Sequence, residues 1–314
     1  MPDDEIPTKT HKSRYLFSIF LDSLKIIFLE NPKLFLIIYT FTTFPLSILL
    51  TFFSISSDIR FLKSHLNRLE WLYHAVPIWI EAANIRDESR ADSRKLLYLR
   101  LFYGVPILAL SLLSLVTIVS LAYFGCRKKK KLSLRVPMAA FKLRWAPPLL
   151  TCMVNFILWV GWSHLDPFFN GVYIKYSYYL MAVQVMVEVY MMAVMGVGLD
   201  VSVIEGRVGL GAVIAGFRLM KGKRVHGWIL SGFILLISGF IGREMVGVMN
   251  GGDMEVGDTW TAGMKFGSLF GLVVLLGWFI LWSNVIMVVY YFECRKRNVI
   301  REDEQLDLID DYDI

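Results

Sequence analysis

The chain has 314 residues, of which 56% are apolar, and its mean hydropathy is +0.53. This composition is too apolar for an ordinary soluble domain, so it indicates an integral membrane protein. The formal net charge is +6. The sequence shows no basic, aromatic-rich fold of the kind that binds nucleic acid, so we predict no nucleic-acid partner. We attribute the positive charge to membrane topology and to attraction to anionic lipid.

The N-terminal region combines a polar start with a helical pattern. Residues 1–13 are predicted to be a disordered cytosolic segment, and their acids argue against a cleavable signal peptide. Apolar side chains then follow helical spacing, namely Phe17, Phe20, Leu21, Leu24 and Phe28. Beside them runs a polar line of Ser18, Asp22 and Lys25. The pattern predicts an amphipathic helix in front of the first membrane span.

Apolar runs long enough to cross a bilayer follow, since a spanning helix needs roughly 20 residues. Six are predicted, at about 34–57, 101–126, 145–165, 176–199, 225–242 and 266–292. They predict an all-α membrane domain over 14–292. The loop 58–100 is predicted to be extracytosolic and helical, and 293–314 to be an acidic, disordered cytosolic tail.

A short motif recurs in front of the first, third and fifth runs. "SLK" (Ser23–Lys25), "AFK" (Ala140–Lys142) and "GFR" (Gly216–Arg218) each place a small residue before a large apolar one and a base. Helical apolar stripes accompany the second and third copies, formed by Leu134, Met138, Phe141 and Trp145, and by Leu210, Val213, Ile214 and Phe217. We predict three units, each an interfacial amphipathic helix followed by a two-span hairpin. A connecting loop with chance amphipathicity is the alternative.

Basic residues set the predicted orientation. "RKKKK" at 127–131 and "RKR" at 295–297 come directly after the second and sixth runs, where the positive-inside rule is strongest. Both termini are therefore predicted to be cytosolic. The bases predicted to face anionic lipid headgroups are Lys131, Arg135, Lys142, Arg218, Lys221 and Lys223.

One acid lies inside the predicted spans. Glu188 is near the middle of the fourth run, with Asn155 in the third and Asn284 in the sixth as possible partners. An intramembrane carboxyl is costly to ionise, so a proton or cation site is one hypothesis. A protonated carboxyl in a structural hydrogen bond between helices is the other.

Further patterns concern packing and modification. Gly263, Gly267 and Gly271 are spaced by four, which predicts a face that another helix can approach closely. Cys126 and Cys294 lie at cytosolic span ends beside bases, where acylation or an unmodified thiol are both open. The chain contains no recognisable metal-ligand set, phosphate loop or nucleophile motif, so we predict no metal, no cofactor and no enzymatic activity.

"SVIEGRVGLGAVIAGFRLMKGK" (Ser202–Lys223) resembles a segment of a plant family of six-span membrane proteins. The matching positions are Ser202, Val203, Glu205, Gly209, Ala212, Leu219 and Lys221–Lys223, and "PKLF" (Pro32–Phe35) and "VVYYFECR" (Val288–Arg295) are similar to that family's start and end. The chain departs from it at Gly206, Val208, Ala215 and Gly216. The resemblance implies a plant multi-pass protein of the endomembrane system or the plasma membrane, and it supplies no catalytic residues. A looser similarity is to bacterial membrane domains with amphipathic helices before hairpins.

These patterns favour a non-enzymatic membrane scaffold or accessory subunit that engages lipid or partners through its cytosolic helices. A small-solute or proton-linked transporter using Glu188 is the alternative.

Overall fold

The computed structural model describes residues 9–30, 32–55, 79–126, 145–163, 177–250 and 259–310. The described residues form helices and their connections, without a strand. The α-helices are α1 (Lys9–Lys25), α2 (Pro32–Ile38), α3 (Phe44–Ile55), α4 (Trp79–Cys126), α5 (Ala146–Ser163), α6 (Ser177–Glu205), α7 (Leu210–Leu219), α8 (Arg224–Asn250) and α9 (Thr259–Asp310). Two π-helical turns, Ile26–Glu30 and Tyr39–Thr43, flank α2.

Five helical stretches are long and apolar enough to cross a membrane, so the chain is an all-α, multi-pass membrane protein. They are Pro32–Ser54, Arg90–Gly125, Ala182–Glu205, Arg224–Val248 and Gly263–Lys296. The predicted third run forms α5, whose apolar part, Ala146–Trp162, is shorter than these five. Residues 164–176, which follow it, lie outside the described part.

Several predicted boundaries were too short. The fourth run was ended at residue 199, but α6 continues through Val201, Val203 and Ile204 to Glu205. The fifth was given about 18 residues, whereas α8 has 27. Residues 9–13 were predicted to be disordered and belong to α1, and the tail to residue 310 belongs to α9. Extending an existing helix costs far less than starting one, so polar residues at both ends continue it.

Helix α9 lies at the centre of the bundle. Its fully buried side chains include Leu281, Val285 and Ile286, and α1, α3, α4, α6 and α8 pack around it. Two hydrogen bonds tie the N-terminal helices to it. The Tyr39 hydroxyl donates to the Val274 carbonyl at 3.0 Å, and the Trp282 indole nitrogen donates to the Ser23 hydroxyl at 2.9 Å.

Candidate functional site at the basic end of the bundle

The end of the bundle where α6 stops and α8 begins carries most of the described side-chain network, and we call it the basic end. The connection from α6 to α7 requires left-handed backbone at Gly206 (φ 72°) and Gly209 (φ 58°), which glycine adopts without steric cost. The Gly209 amide donates to the Thr151 hydroxyl of α5 at 3.1 Å. These features direct the chain from the end of α6 straight into α7.

Helix α7 crosses α6 at a contact between two glycines. A Cβ added to Gly216 would lie 2.8 Å from the Gly198 nitrogen and 3.2 Å from the Val194 carbonyl oxygen. A Cβ added to Gly198 would lie 3.1 Å from the Val213 Cα. The two backbones are therefore so close that neither glycine can carry a side chain without movement.

A polar cluster centred on Glu205 joins α6 to α9; we call Glu205, Arg207, Tyr291 and Arg295 the Glu205 cluster. The Tyr291 hydroxyl donates to Glu205 Oε1 at 2.8 Å, and Arg295 donates to the same hydroxyl at 2.9 Å. Arg207 lies 3.1 Å from Glu205 Oε2, and Arg295 lies 3.8 Å from Oε1. The buried phenol thus connects a carboxylate of α6 to a guanidinium of α9.

A second pair of bonds joins the α7–α8 connection to α9. Lys223 Nζ lies 3.3 Å from Glu293 Oε2 and 3.3 Å from the Glu293 carbonyl oxygen. The Tyr290 hydroxyl donates to the Lys223 carbonyl at 2.9 Å. The Lys223 side chain is only 14% exposed. Lys223 was expected to face lipid headgroups, but the structure directs its ammonium to a carboxylate of α9.

Helix α7 has three distinct sides. Ala212, Val213 and Gly216 are buried against its neighbours. Leu210, Ile214 and Phe217 form an exposed apolar side. Arg218 and Lys221 are exposed beside it, and the Arg224 guanidinium lies 4.5 Å from the centre of the Phe217 ring.

Helix α1 and the turn after it repeat that arrangement. The buried side consists of Ile19, Ser23, Ile26 and Ile27, the exposed apolar side of Phe17, Leu21 and Phe28, and the exposed polar side of Ser18, Asp22 and Lys25. Phe20 and Leu24 of the predicted stripe are half-buried. In the "SLK" and "GFR" alignment, Ser23 and Gly216 are both buried, and Lys25 and Arg218 are both exposed. Two of the three aligned positions therefore agree in burial, whereas Leu24 is half-buried and Phe217 is exposed.

The middle copy lies outside the described residues. Residues 127–144 contain the whole "AFK" segment together with Lys131, Arg135 and Lys142. The predictions for these three bases stay predictions.

A family model matches residues 12–310, which is nearly the whole chain. Its description is "Domain of unknown function (DUF8558)". The chain belongs to the DUF8558 family. Neither the curated proteins nor the solved structures gave a significant match.

Among the described residues, no hydrogen bond joins Glu188, Asn155 and Asn284. Glu188 is half-buried and lies about 25 Å along α6 from Glu205. Asn155 is one turn of α5 from Thr151, which contacts the loop after Glu205. Its Oδ1 atom is buried without a hydrogen-bond partner. Asn284 donates to the Ile280 carbonyl of its own helix at 2.8 Å.

A second acid of α6, which the sequence patterns had assigned to a loop, is the more deeply buried. Asp200 is 2% exposed, and its Oδ2 atom has no hydrogen-bond partner. Ending the fourth run at residue 199 excluded it from the membrane. The signal was present in the sequence, since "VSVIE" continues the apolar helix beyond Asp200.

The predicted glycine face and the cysteines also have definite locations. Gly263, Gly267 and Gly271 are exposed, and an added Cβ at each would meet no atom within 4 Å, so no described helix packs on them. Close helix contacts occur instead at Gly198 and Gly216. The Cys294 thiol is buried, which disfavours acylation in this conformation, and Cys126 is the last residue of α4. The described residues contain no group of three or more His, Cys, Asp or Glu that could hold a metal ion.

Proposed function

We propose that this chain is a non-enzymatic membrane scaffold or accessory subunit that engages anionic lipid headgroups, or partner proteins, through cytosolic amphipathic helices. The observation that supports it best is the three-sided surface of α7. An exposed apolar side next to Arg218 and Lys221 has the chemistry of a helix at a membrane interface, with apolar groups at the acyl boundary and bases among the phosphates. Helix α1 has the same three sides, which supports a second interfacial helix of the same kind.

This proposal includes a topology. Six spans would form three hairpins, with α5 as the short third span, and each hairpin would follow one interfacial helix. Both termini would then be cytosolic, as the basic residues after the second and sixth runs indicate. The resemblance to the plant family supports a place in the endomembrane system or the plasma membrane. Membership of the plant family suggested by Ser202–Lys223 is part of the same proposal.

Lipid binding can be tested with the full chain in nanodiscs that contain phosphatidylserine and phosphatidylcholine. Native mass spectrometry would count the retained phosphatidylserine for Arg218→Gln/Lys221→Gln. The charge-matched control is Arg243→Gln/Lys265→Gln, which removes two exposed bases far from the basic end. At about 1 kcal/mol per surface base, the first pair should weaken retention about thirtyfold at most, and the control much less. Equal retention in both variants would contradict a lipid-binding role for α7.

Partner binding can be tested by gentle purification of the tagged chain from its own membranes, followed by native mass spectrometry. A recurring stoichiometric protein supports the accessory role. Its contact should then be lost on Ile214→Ser/Phe217→Ser, which removes the exposed apolar side of α7 and leaves its buried side unchanged.

A small-solute or proton-linked transporter that uses Glu188 is the second candidate. The supporting observation is the half-buried carboxyl of Glu188 within the apolar stretch Ala182–Glu205. A chain purified with a small solute and no protein partner would favour it. In proteoliposomes, Glu188→Gln should then abolish pH-dependent flux while the protein stays folded, and unchanged flux would remove Glu188 from the mechanism.

A further inference from the structure

Asp200 has an unusual environment for a carboxyl group. It lies within the membrane-spanning stretch of α6, is 2% exposed and has a buried oxygen with no hydrogen-bond partner. Its neighbours Val197 and Val201 are also buried. A carboxylate in such surroundings loses its hydration without gaining a compensating charge or donor, so the neutral acid is strongly favoured.

The helical repeat locates Asp200 between two contacts of α6 with α9. Gly196, one turn earlier on the same side of α6, is so close to Met287 that an added Cβ would lie 2.7 Å from the Met287 methyl carbon. One turn further along α9, the Tyr291 hydroxyl reaches Glu205. Asp200 therefore lies about 7.5 Å along the helix axis from Glu205, on the part of the α6–α9 contact that precedes the Glu205 cluster.

The charged and titratable groups near this level differ sharply in their partners. Glu205 has Arg207, Tyr291 and Arg295 within 4 Å, whereas the Asp200 Oδ2 atom has no partner. The side of α7 that packs on α6 consists of Ala212, Val213 and Gly216, none of which titrates. Among the described side chains, the packed helices carry these titratable or charged groups near this end: Tyr123 of α4, Cys152 of α5, Arg218 of α7, Arg224 and His226 of α8, and Tyr290, Tyr291, Glu293, Cys294, Arg295 and Lys296 of α9.

The ligand that such a carboxyl can bind follows from the number of oxygens available. A calcium ion needs six to eight oxygen ligands, and magnesium needs six. Asp200 is a single carboxyl, and the described residues hold no cluster of metal-ligating side chains. A proton requires only the carboxyl itself.

We propose that Asp200 is a buried proton-binding site at the interface of α6 and α9, which exchanges its proton with solvent when the Glu205 cluster opens. Opening requires the bonds from Tyr291 to Glu205 and from Arg295 to Tyr291 to break, because they connect α6 to α9 at the end of this contact. Release of the proton leaves a carboxylate that needs water, so ionisation of Asp200 stabilises the open arrangement.

The test is infrared spectroscopy of the full chain in nanodiscs at neutral pH, where solvent-exposed carboxyl groups are ionised. The spectrum of the wild type minus that of Asp200→Asn should show one carbonyl stretching band of a protonated acid. Glu188→Gln is the matched control, because it makes the same change at the other acid within the span. A flat difference spectrum for Asp200→Asn would overturn the proposal.

A second measurement does not depend on how Asp200→Asn folds. After transfer of the wild type into D₂O, the protonated-acid band should shift as deuterium replaces the proton. Tyr291→Phe removes one hydrogen bond from the closed cluster and should make this shift about fivefold faster. Tyr179→Phe, at an exposed tyrosine near the start of α6, should not change the rate. A wild type without a protonated-acid band, or equal exchange rates in Tyr291→Phe and wild type, would exclude the site as described.

Discussion

The crossing of α6 and α7 supports a quantitative prediction for Gly216→Ala. The new methyl group would lie 2.8 Å from the Gly198 nitrogen and 3.1 Å from its Cα, which are backbone atoms that cannot rotate away. The helices must therefore separate at a contact that also holds the buried face of α7. Overpacking of this kind costs about 1–3 kcal/mol.

The higher helix propensity of alanine raises stability and so partly offsets the cost of the contact. Control variants are needed to subtract this contribution. Alanine is favoured over glycine in a helix by about 1 kcal/mol, so the net loss for Gly216→Ala is at most about 2 kcal/mol. Gly211→Ala makes the same exchange in the same helix, at an exposed position with no atom within 4 Å of the new methyl group. Gly239→Ala does so in the interior of α8, also in open space. The difference between Gly216→Ala and either control isolates the cost of the contact.

Thermal unfolding in detergent would measure this difference through the reaction of a thiol-specific fluorophore. A Cys126→Ser background leaves Cys152 and Cys294 as reporters among the described residues, and Cys294 is buried in the native bundle. We expect Gly216→Ala to unfold several degrees below both controls. All three variants must be heated at the same rate, because the apparent unfolding temperature depends on the rate of unfolding as well as on the equilibrium. Equal unfolding temperatures for the three variants would refute the close crossing of α6 and α7.

Three further predictions use the same assay. Trp282→Phe should lower stability by about 1 kcal/mol because it removes the donor to Ser23, and a stability equal to wild type would contradict the docking of α1 on α9. Lys223→Ala should lower stability because it removes the bonds from Lys223 Nζ to the carboxylate and the carbonyl of Glu293, whereas Lys221→Ala, at an exposed position, should not; equal effects would contradict the assignment of Lys223 to α9. Tyr291→Phe should cost about 1–2 kcal/mol because it removes the hydroxyl that donates to Glu205 and accepts from Arg295, and no loss would show that these two hydrogen bonds add nothing to stability.

The two segments that resemble the plant family contact each other in the structure. The stretches that suggested a plant family, Ser202–Lys223 and Val288–Arg295, are distant in sequence and meet at the basic end through Glu205, Lys223 and their partners on α9. Their shared polar residues therefore fix helices to one another. The exposed bases and apolar side chains of α7 are left available for lipid or a partner.

The sequence alone determined the class of the protein, because crossing a bilayer is a local requirement. A stretch of apolar residues of sufficient length can be recognised without knowing its neighbours, and five of the predicted runs correspond to helices able to span a membrane. Helical spacing also predicted an apolar stripe on α7, but it did not separate Val213, which is buried, from Leu210, Ile214 and Phe217, which are exposed.

Tertiary structure decided which of these residues are paired, buried or open. Lys221 and Lys223 are two positions apart and look alike in the sequence, but only Lys223 meets a carboxylate of α9. The spacing of Gly263 and Gly267 predicted a close helix contact, and it occurs instead at Gly216, where α7 folds onto α6. Asp200 is the most buried acid in the described part of the chain because five helices pack around α6. Each outcome depends on contacts between segments far apart in the chain, and local periodicity carries no information about such contacts.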